Sequence, residues 1–422
     1  MAERVEEEDQ KKAVTKGGIL ATVSGIVRSG RVYFGITTNV LSSVGNFAIS
    51  ISLARVLGIS ELGEFAVAFA FYVFCAGLIR AAVCEPLLAM SPSRLALSSG
   101  SNRVSLIGFA FALLLVPFGL VFSMPYIAML GLALPGLVLF DYSKSMNLAM
   151  FDRKISLIQE SVWTFVSMIA GTLLLLDRIT GFQGFVIWAA SGAVIGFTTV
   201  LWQSFGIRPT WNLAKNDTHN ALAFGGDYII GSGASQVNFN LIGVVAGLAS
   251  VGSLRAGGTL LGPVSIVIGS AQTLAIPYLS RGIAHGGRVT ALRALASTSL
   301  IAVLSIPILA IMAFFPPFLG EMLLGENWAY AEPVLPFLAL EMAAIAMTTV
   351  PFAGFRALQA GRASVLIRFS LAVIRVTTVV LAATVSGVLA AAIAMAFTSC
   401  LGAIVWWSGY LFQLRRKTRT AI

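Results

Sequence analysis

The chain has 422 residues, of which 57% are hydrophobic and 11% charged, and its mean hydropathy is +0.89. A soluble domain carries about 25% charged residues, so this balance excludes one and describes a polytopic membrane protein. The formal net charge of +10 is not read as nucleic-acid binding, because the basic residues follow the loops of a membrane topology.

The chain opens MAERVEEEDQKKAVTKGG, without a short apolar core and small-residue cleavage site, so the first helix is expected to be retained as a span. Residues 1–31 are expected to be a cytoplasmic segment. Within it Ile19, Leu20, Val23, Ile26 and Val27 suit an interfacial helix, the alternative being a frayed tail. A spanning helix needs about 20 apolar residues. Twelve stretches qualify: 32–54, 65–88, 104–123, 124–142, 155–176, 182–205, 222–246, 256–279, 294–315, 330–353, 363–385 and 387–412. The very short connections Ser123-Met124-Pro125 and Ser386-Gly387 imply antiparallel neighbours. The fold class is therefore all-α, with about twelve transmembrane helices. Residues 32–210 form a first lobe of six helices, 211–414 a second, and 415–422 a basic cytoplasmic tail.

With the N-terminus inside, Arg55, Arg178 and Arg255 fall in outer loops and Arg80 and Arg375 within spans; the other 23 of the 28 Lys and Arg residues are inner. That asymmetry places both termini in the cytoplasm of a bacterial inner membrane. The loops are short, leaving no soluble catalytic domain. Cys75, Cys84 and Cys400 all lie in apolar segments and read as small hydrophobes, not as a disulfide or metal framework. The two histidines, His219 and His285, are in loops. No nucleotide-binding GxxxxGK[ST] run is present, and no cofactor, metal or catalytic group is expected.

Segment one is polar for a span. Asn39, Ser42, Ser43, Asn46 and Ser50 recur at helical spacing, as do Ser232, Ser235, Gln236, Asn238 and Asn240 in segment seven. Such groups must face protein or water rather than lipid. They line a hydrated cavity that hydrogen-bonds hydroxyl groups, or they join helix to helix. Arg375 sits about 18 Å into segment eleven, near the middle of a core about 30 Å thick, and Glu341 lies at a similar depth in segment ten. The pair either binds an anionic group and balances its charge, or fixes helix packing. Arg80 is near enough to the cytoplasmic end to snorkel, or to meet a phosphate at a cavity mouth. Asp227, near the cytoplasmic end of segment seven, and Asp141 read as interface or cap residues, with an ion site as the alternative.

Between segments one and two, Gly58 and Gly63 bracket a polar turn within LARVLGISELGEFAVAFAF, residues 53–71. A weaker version, GLASVGSLRAGGTLLG, follows at 247–262. Setting Gly63 on Gly252, an offset of 189, places Leu62 on Val251, Asn46 on Ser235 and Ser43 on Ser232. Pro86…Ser93-Arg94 and Pro277…Ser280-Arg281 correspond, as do MFDRK and LQAGR. Six spans per half keep the halves parallel, a known transporter plan. Gly58, Gly63 and Gly252 are read as structural hinges or close-packed corners.

The stretch at 53–71 resembles the first helix junction of polysaccharide and O-antigen flippases, within the multidrug/oligosaccharidyl-lipid/polysaccharide exporter superfamily. Twelve spans, two lobes and short loops fit that family; fourteen spans would fit the related lipid II flippases. The sequence departs from the family at Gly252-Ser253-Leu254-Arg255, where an aromatic usually stands two residues after the glycine, as Phe65 does after Gly63. The resemblance implies an inner-membrane flippase for polyprenyl-pyrophosphate-linked glycans, working by alternating access, with helices one and seven lining the cavity. It implies as partners the lipid-linked oligosaccharide, membrane lipids, and a polysaccharide polymerase with its chain-length machinery. The second reading is a cation-coupled small-molecule exporter, and the third a membrane-embedded glycan polymerase, ligase or acyltransferase.

Overall fold

In a bilayer every backbone N–H and C=O must be satisfied within its own segment, so long apolar stretches become helices. The computed structural model describes residues 30–89, 93–149, 153–210, 225–226, 228–229, 233–265, 268, 279, 287–358 and 360–419. All regular structure among them is helical. The first half contains α1 (Gly30–Val56), α2 (Ile59–Ile79), α3 (Arg94–Val121), α4 (Pro125–Ala149), α5 (Arg153–Leu175) and α6 (Gly181–Trp202). Helix α2 continues through a π turn, Arg80–Cys84, into one more turn, Glu85–Ala89. The second half contains α7 (Ala234–Ala246), α8 (Leu248–Leu260), α9 (Gly287–Ala313), the short α10 (Pro317–Leu324) and α11 (Trp328–Ala331), then α12 (Leu335–Ala357) and α13 (Gly361–Arg419).

Eight of the described helices are long and apolar enough to cross a membrane, α13 counted once. Helix α13 bends at Ser386 and Gly387; Gly387 has φ +73°, which only glycine adopts readily. Its arms, 361–385 and 388–419, are the eleventh and twelfth expected segments. Large exposed apolar side chains such as Leu113, Phe165, Leu300, Phe314 and Phe397 cover the outer helix faces, the surface that a bilayer solvates.

Three expectations about loops are corrected. Segment eight begins at Leu248 rather than 256, so Arg255 lies inside α8 and not in an outer loop. Lys144 lies inside α4 and Arg103 inside α3, and both are buried. Hydropathy ended those segments where charge began, but a charged residue extends a helix when neighbouring helices supply its partner.

The two halves repeat one packing pattern. In the first, α1 packs on α5, α3 on α4, and α4 on α6; in the second, α7 packs on α13, α9 on α12, and α12 on α13. Helix α4 is the most enclosed span, 89% buried, and anchors the first lobe. Beside it the rings of Phe65, Phe69, Tyr72, Trp163, Phe185 and Trp188 pack at 5.3–5.9 Å between centroids. The first turns of α2 also cap α4. Pro125 cannot donate, and the next N–H, of Tyr126, donates to Glu64 Oε1 at 2.8 Å while the Tyr126 hydroxyl donates to Glu61 Oε1 at 2.7 Å.

Across the lobes, α2 packs on α8. A Cβ added at Gly63 would overlap the Leu248 carbonyl, and one added at Gly252 would overlap the Ile59 carbonyl. The offset of 189 carries Ile59 to Leu248 and Gly63 to Gly252, so each glycine receives the counterpart of the residue that receives the other. Such reciprocity is the mark of a two-fold contact. Gly58 differs: its backbone is extended and open space surrounds its Cβ position, so nothing there requires glycine. The same side is closed by Asn327, whose Nδ2 donates to the Ala54 and Leu57 carbonyls at 2.7 Å each, taking up orphan acceptors at the end of α1. We call this the corner side, and the opposite end, where α1 begins and α13 finishes, the terminal side.

Replacing Gly63 or Gly252 with Ala should lower stability by about 1–3 kcal/mol through overpacking, and the pair should be non-additive because they share one contact. Gly58→Ala should be neutral. Thermal unfolding of the purified protein in detergent checks all three.

Candidate functional site

Helix α1 presents two polar faces. One is spent on packing: the Thr164 hydroxyl on α5 donates to the Leu41 carbonyl at 3.0 Å, Gly45 lies against Thr164, and Gly171 of α5 lies against Ser52. The other carries Asn39, Ser43, Asn46 and Ser50, and its exposure is graded. Ser50 is buried, Asn46 and Ser43 are half-buried, and Asn39 is exposed. At the buried end the Ser50 hydroxyl accepts from Arg255 Nη2 of α8 at 3.0 Å. The Ser43 hydroxyl turns back to the Asn39 carbonyl at 2.8 Å. The stripe therefore runs from a buried end at the corner side to an exposed end toward the terminal side. The packing reading describes the first face, to which Ser42 belongs through Lys144 Nζ at 3.5 Å.

On α7, Asn238 is 1% exposed, and neither its amide nitrogen nor its oxygen has a hydrogen-bond partner among the described residues. Ser235 stands in the first turn of α7, with its side chain outside the described residues, and Asp227 also lies outside them. Arg80, at the head of the π turn, is exposed, whereas the next four residues are buried.

Arg375 and Glu341 meet. Arg375 Nη2 pairs with Glu341 Oε1, and Nη1 donates to the Ser399 hydroxyl at 2.8 Å; Nε has no partner among the described residues. The pair joins α12 to both arms of α13, within the second lobe. This arrangement commits most of the guanidinium to the protein itself, and fits the reading in which the pair fixes helix packing.

A second buried ionic group went unread in the sequence. Lys144 Nζ lies 3.0 Å from Glu160 Oε2 and 3.7 Å from Asp141 Oδ1, and 3.5 Å from the Ser42 hydroxyl. The Tyr72 hydroxyl donates to Asp141 Oδ2 at 3.0 Å. Asp141 is thus neither cap nor interface residue but part of a network spanning α1, α2, α4 and α5. The signal was present: Lys144 and Glu160 face each other across the short α4–α5 connection. It was missed because Lys144 was assigned to a loop.

The profile of a family described as polysaccharide biosynthesis protein matches residues 52–333, a span running from the end of α1 to the start of α12 and covering the corner of each lobe. The chain belongs to that family. Its fold is that of the MOP-superfamily transporters. An inward-facing multidrug resistance MATE family transporter is 12% identical, with a TM-score of 0.68, over 90% of this chain and 96% of that one. The lipid II flippase MurJ, in an inward closed conformation, is 14% identical, with a TM-score of 0.70, over 90% of this chain and 86% of that one. A MOP-superfamily transporter from Pyrococcus furiosus is 13% identical, with a TM-score of 0.62, over 90% and 94%. No curated protein matches by sequence.

For this family member, Arg375→Ala should cost about 3 kcal/mol, because it strands the Glu341 carboxylate among apolar helices. Adding Glu341→Leu should restore most of that loss. Unfolding curves for the single and double variants test this.

Proposed function

We propose that this chain is an inner-membrane flippase that moves polyprenyl-pyrophosphate-linked oligosaccharide units across the bilayer for surface polysaccharide. The graded stripe on α1 carries this reading. It offers amide and hydroxyl groups, suited to sugar hydroxyls, along a cleft between two lobes that touch at the corner side. Membership of a polysaccharide biosynthesis family and the fold shared with MurJ support the substrate class. With the corner side toward the periplasm, the basic inner segments meet the anionic leaflet, both termini lie in the cytoplasm, and the cleft opens inward. Alternating access then requires the α2–α8 contact to part while the terminal side closes. The lipid tail stays in the bilayer as the head group crosses, and no covalent chemistry is needed. The polymerase and chain-length machinery receive the product. Arg80, exposed at the head of the π turn, is the residue we assign to a diphosphate entering from the cytoplasm.

The second reading, a cation-coupled small-molecule exporter, is favoured by the fold shared with MATE transporters. Proteoliposomes separate the two: purified protein should translocate lipid-linked glycan and should not expel cationic dyes. The reverse result would overturn the proposal. Asn46→Leu should slow glycan translocation roughly 2–10-fold, the worth of one hydrogen bond, with an unchanged melting temperature. Val40→Leu, outside the stripe, should have no effect.

A further inference from the structure

Where α6 ends, the chain turns back over the start of α3 and leaves a cavity of about 470 Å³. It is lined by Ser98 and Asn102 of α3, Leu201 and Ser204 at the end of α6, and the strap 205–208. Side chains of α3 fasten the strap: the Gly206 N–H donates to Ser98 Oγ at 2.9 Å, and the Arg208 N–H to Asn102 Oδ1 at 2.8 Å. A Cβ on residue 206 would overlap Asn102 Oδ1, so this close approach needs glycine. Both bonds spend acceptor atoms. What Ser98 and Asn102 still offer the cavity is one O–H and two N–H groups. The carbonyls of Thr199, Val200 and Leu201 are likewise taken, by the N–H groups of Gln203, Phe205 and Ser204. Arg208, which also lines the cavity, is exposed, and no acidic side chain is among the lining residues. Arg94 lies on the same face of α3, at a spacing of four residues from Ser98 and eight from Asn102. The cavity is thus rich in donors and positive charge, which suits an anion whose oxygens only accept.

The cavity lies at the level of lipid headgroups. Helix α6 has 22 residues, about 33 Å of helix at the usual rise, which just crosses a hydrocarbon core of about 30 Å. Its last residues, Leu201 and Trp202, are 54% and 74% exposed. They suit contact with acyl chains and with the interface, where tryptophan gathers. We propose that this cavity binds the phosphate of an anionic phospholipid from the leaflet at the terminal side. The phosphate oxygens accept from the Arg208 guanidinium, the Asn102 amide and the Ser98 hydroxyl, and the acyl chains pass Leu201 into the bilayer. A zwitterionic headgroup brings its own cation against Arg208 and is disfavoured. The volume is that of a small-ligand site. The bound lipid holds the strap, with which the connection to the second lobe begins, against α3. The site does not depend on the flippase reading.

Native mass spectra of the full chain in detergent, titrated with phosphatidylglycerol or phosphatidylcholine, test the site. The chain should retain a first phosphatidylglycerol in preference to phosphatidylcholine. Arg208→Gln should weaken that retention roughly 10-fold, the worth of one charge-assisted hydrogen bond. Asn102→Asp keeps an acceptor for the Arg208 N–H but sets a carboxylate where the amide donated. It should weaken retention at least as much, with an unchanged melting temperature in lipid-free detergent. Arg356→Gln removes an exposed charge at the end of α12 and should change nothing. Equal retention of the two lipids would overturn the proposal, as would an Arg356→Gln loss as large as that of Arg208→Gln, which marks diffuse attraction to a basic surface. Displacement of the lipid by millimolar inorganic phosphate would assign the cavity to a soluble anion and overturn the lipid. If Asn102→Asp does not fold, Arg208→Gln decides alone, and unchanged retention there overturns the site.

Discussion

The backbones of α2 and α8 meet at Gly63 and Gly252 with no side chain between them, and the arrangement of the lobes follows from that contact. Each glycine abuts the carbonyl four residues before its counterpart, at Leu248 and Ile59. A close crossing of this kind is the usual way for helices to associate in lipid, where burying apolar surface provides little drive and backbone proximity provides most of it. The contact lies at the corner side. Below it, the polar residues of α1 pass from buried to exposed over three helical turns.

Each lobe is held internally by a charged bridge between its fourth and fifth helices, and the two bridges differ in chemistry. An offset of 208 carries the start of α5 at Arg153 to the start of α13 at Gly361. The same offset carries Lys144 to Phe352 and Glu160 to Arg368. In the first lobe these positions form an ion pair at 3.0 Å, and in the second the Arg368 guanidinium lies over the Phe352 ring at 4.6 Å. The second lobe adds its own pair, Arg375 with Glu341, about two to three turns away. The halves therefore share a backbone plan and divide the ionic work unequally. In the first lobe the bridge sets two buried acids, Asp141 and Glu160, around one base, Lys144.

The helices and the lobe repeat were legible in the sequence because membrane helices are written as long apolar runs and because glycine marks a backbone contact that no other residue tolerates. Asn39, Asn46 and Ser50 were legible for the same reason: polar groups at helical spacing in an apolar run need an explanation. Lys144 and Arg255 were not legible. Both sit at the margins of apolar runs, where hydropathy alone does not separate a loop from a helix whose charge is met by a neighbour. Glu160 was hidden with them, since a lone acid invites no pairing when its base is assigned to a loop. The depth of Arg375 could be counted from the sequence; its partner Ser399, 24 residues further on, required the fold of α13 back upon itself.

Arg255 shows why the second copy of the corner departs from the first. Lobe one places Phe65 two residues after its glycine, and lobe two has Leu254 there, followed by Arg255. The guanidinium reaches across the interface and lies 5.3 Å from the Phe65 ring and 4.3 Å from the Phe69 ring, with Ser50 as its hydrogen-bond acceptor. An aromatic ring is among the few surfaces that can accept a cation in an apolar layer. Two phenylalanine copies would have stacked ring on ring and held the lobes by apolar contact alone. The arginine instead ties the lobes to the top of the polar stripe, so parting them at this side must return a buried cation to water. The departure from symmetry therefore adds two cation–π contacts and a hydrogen bond between the lobes at the corner.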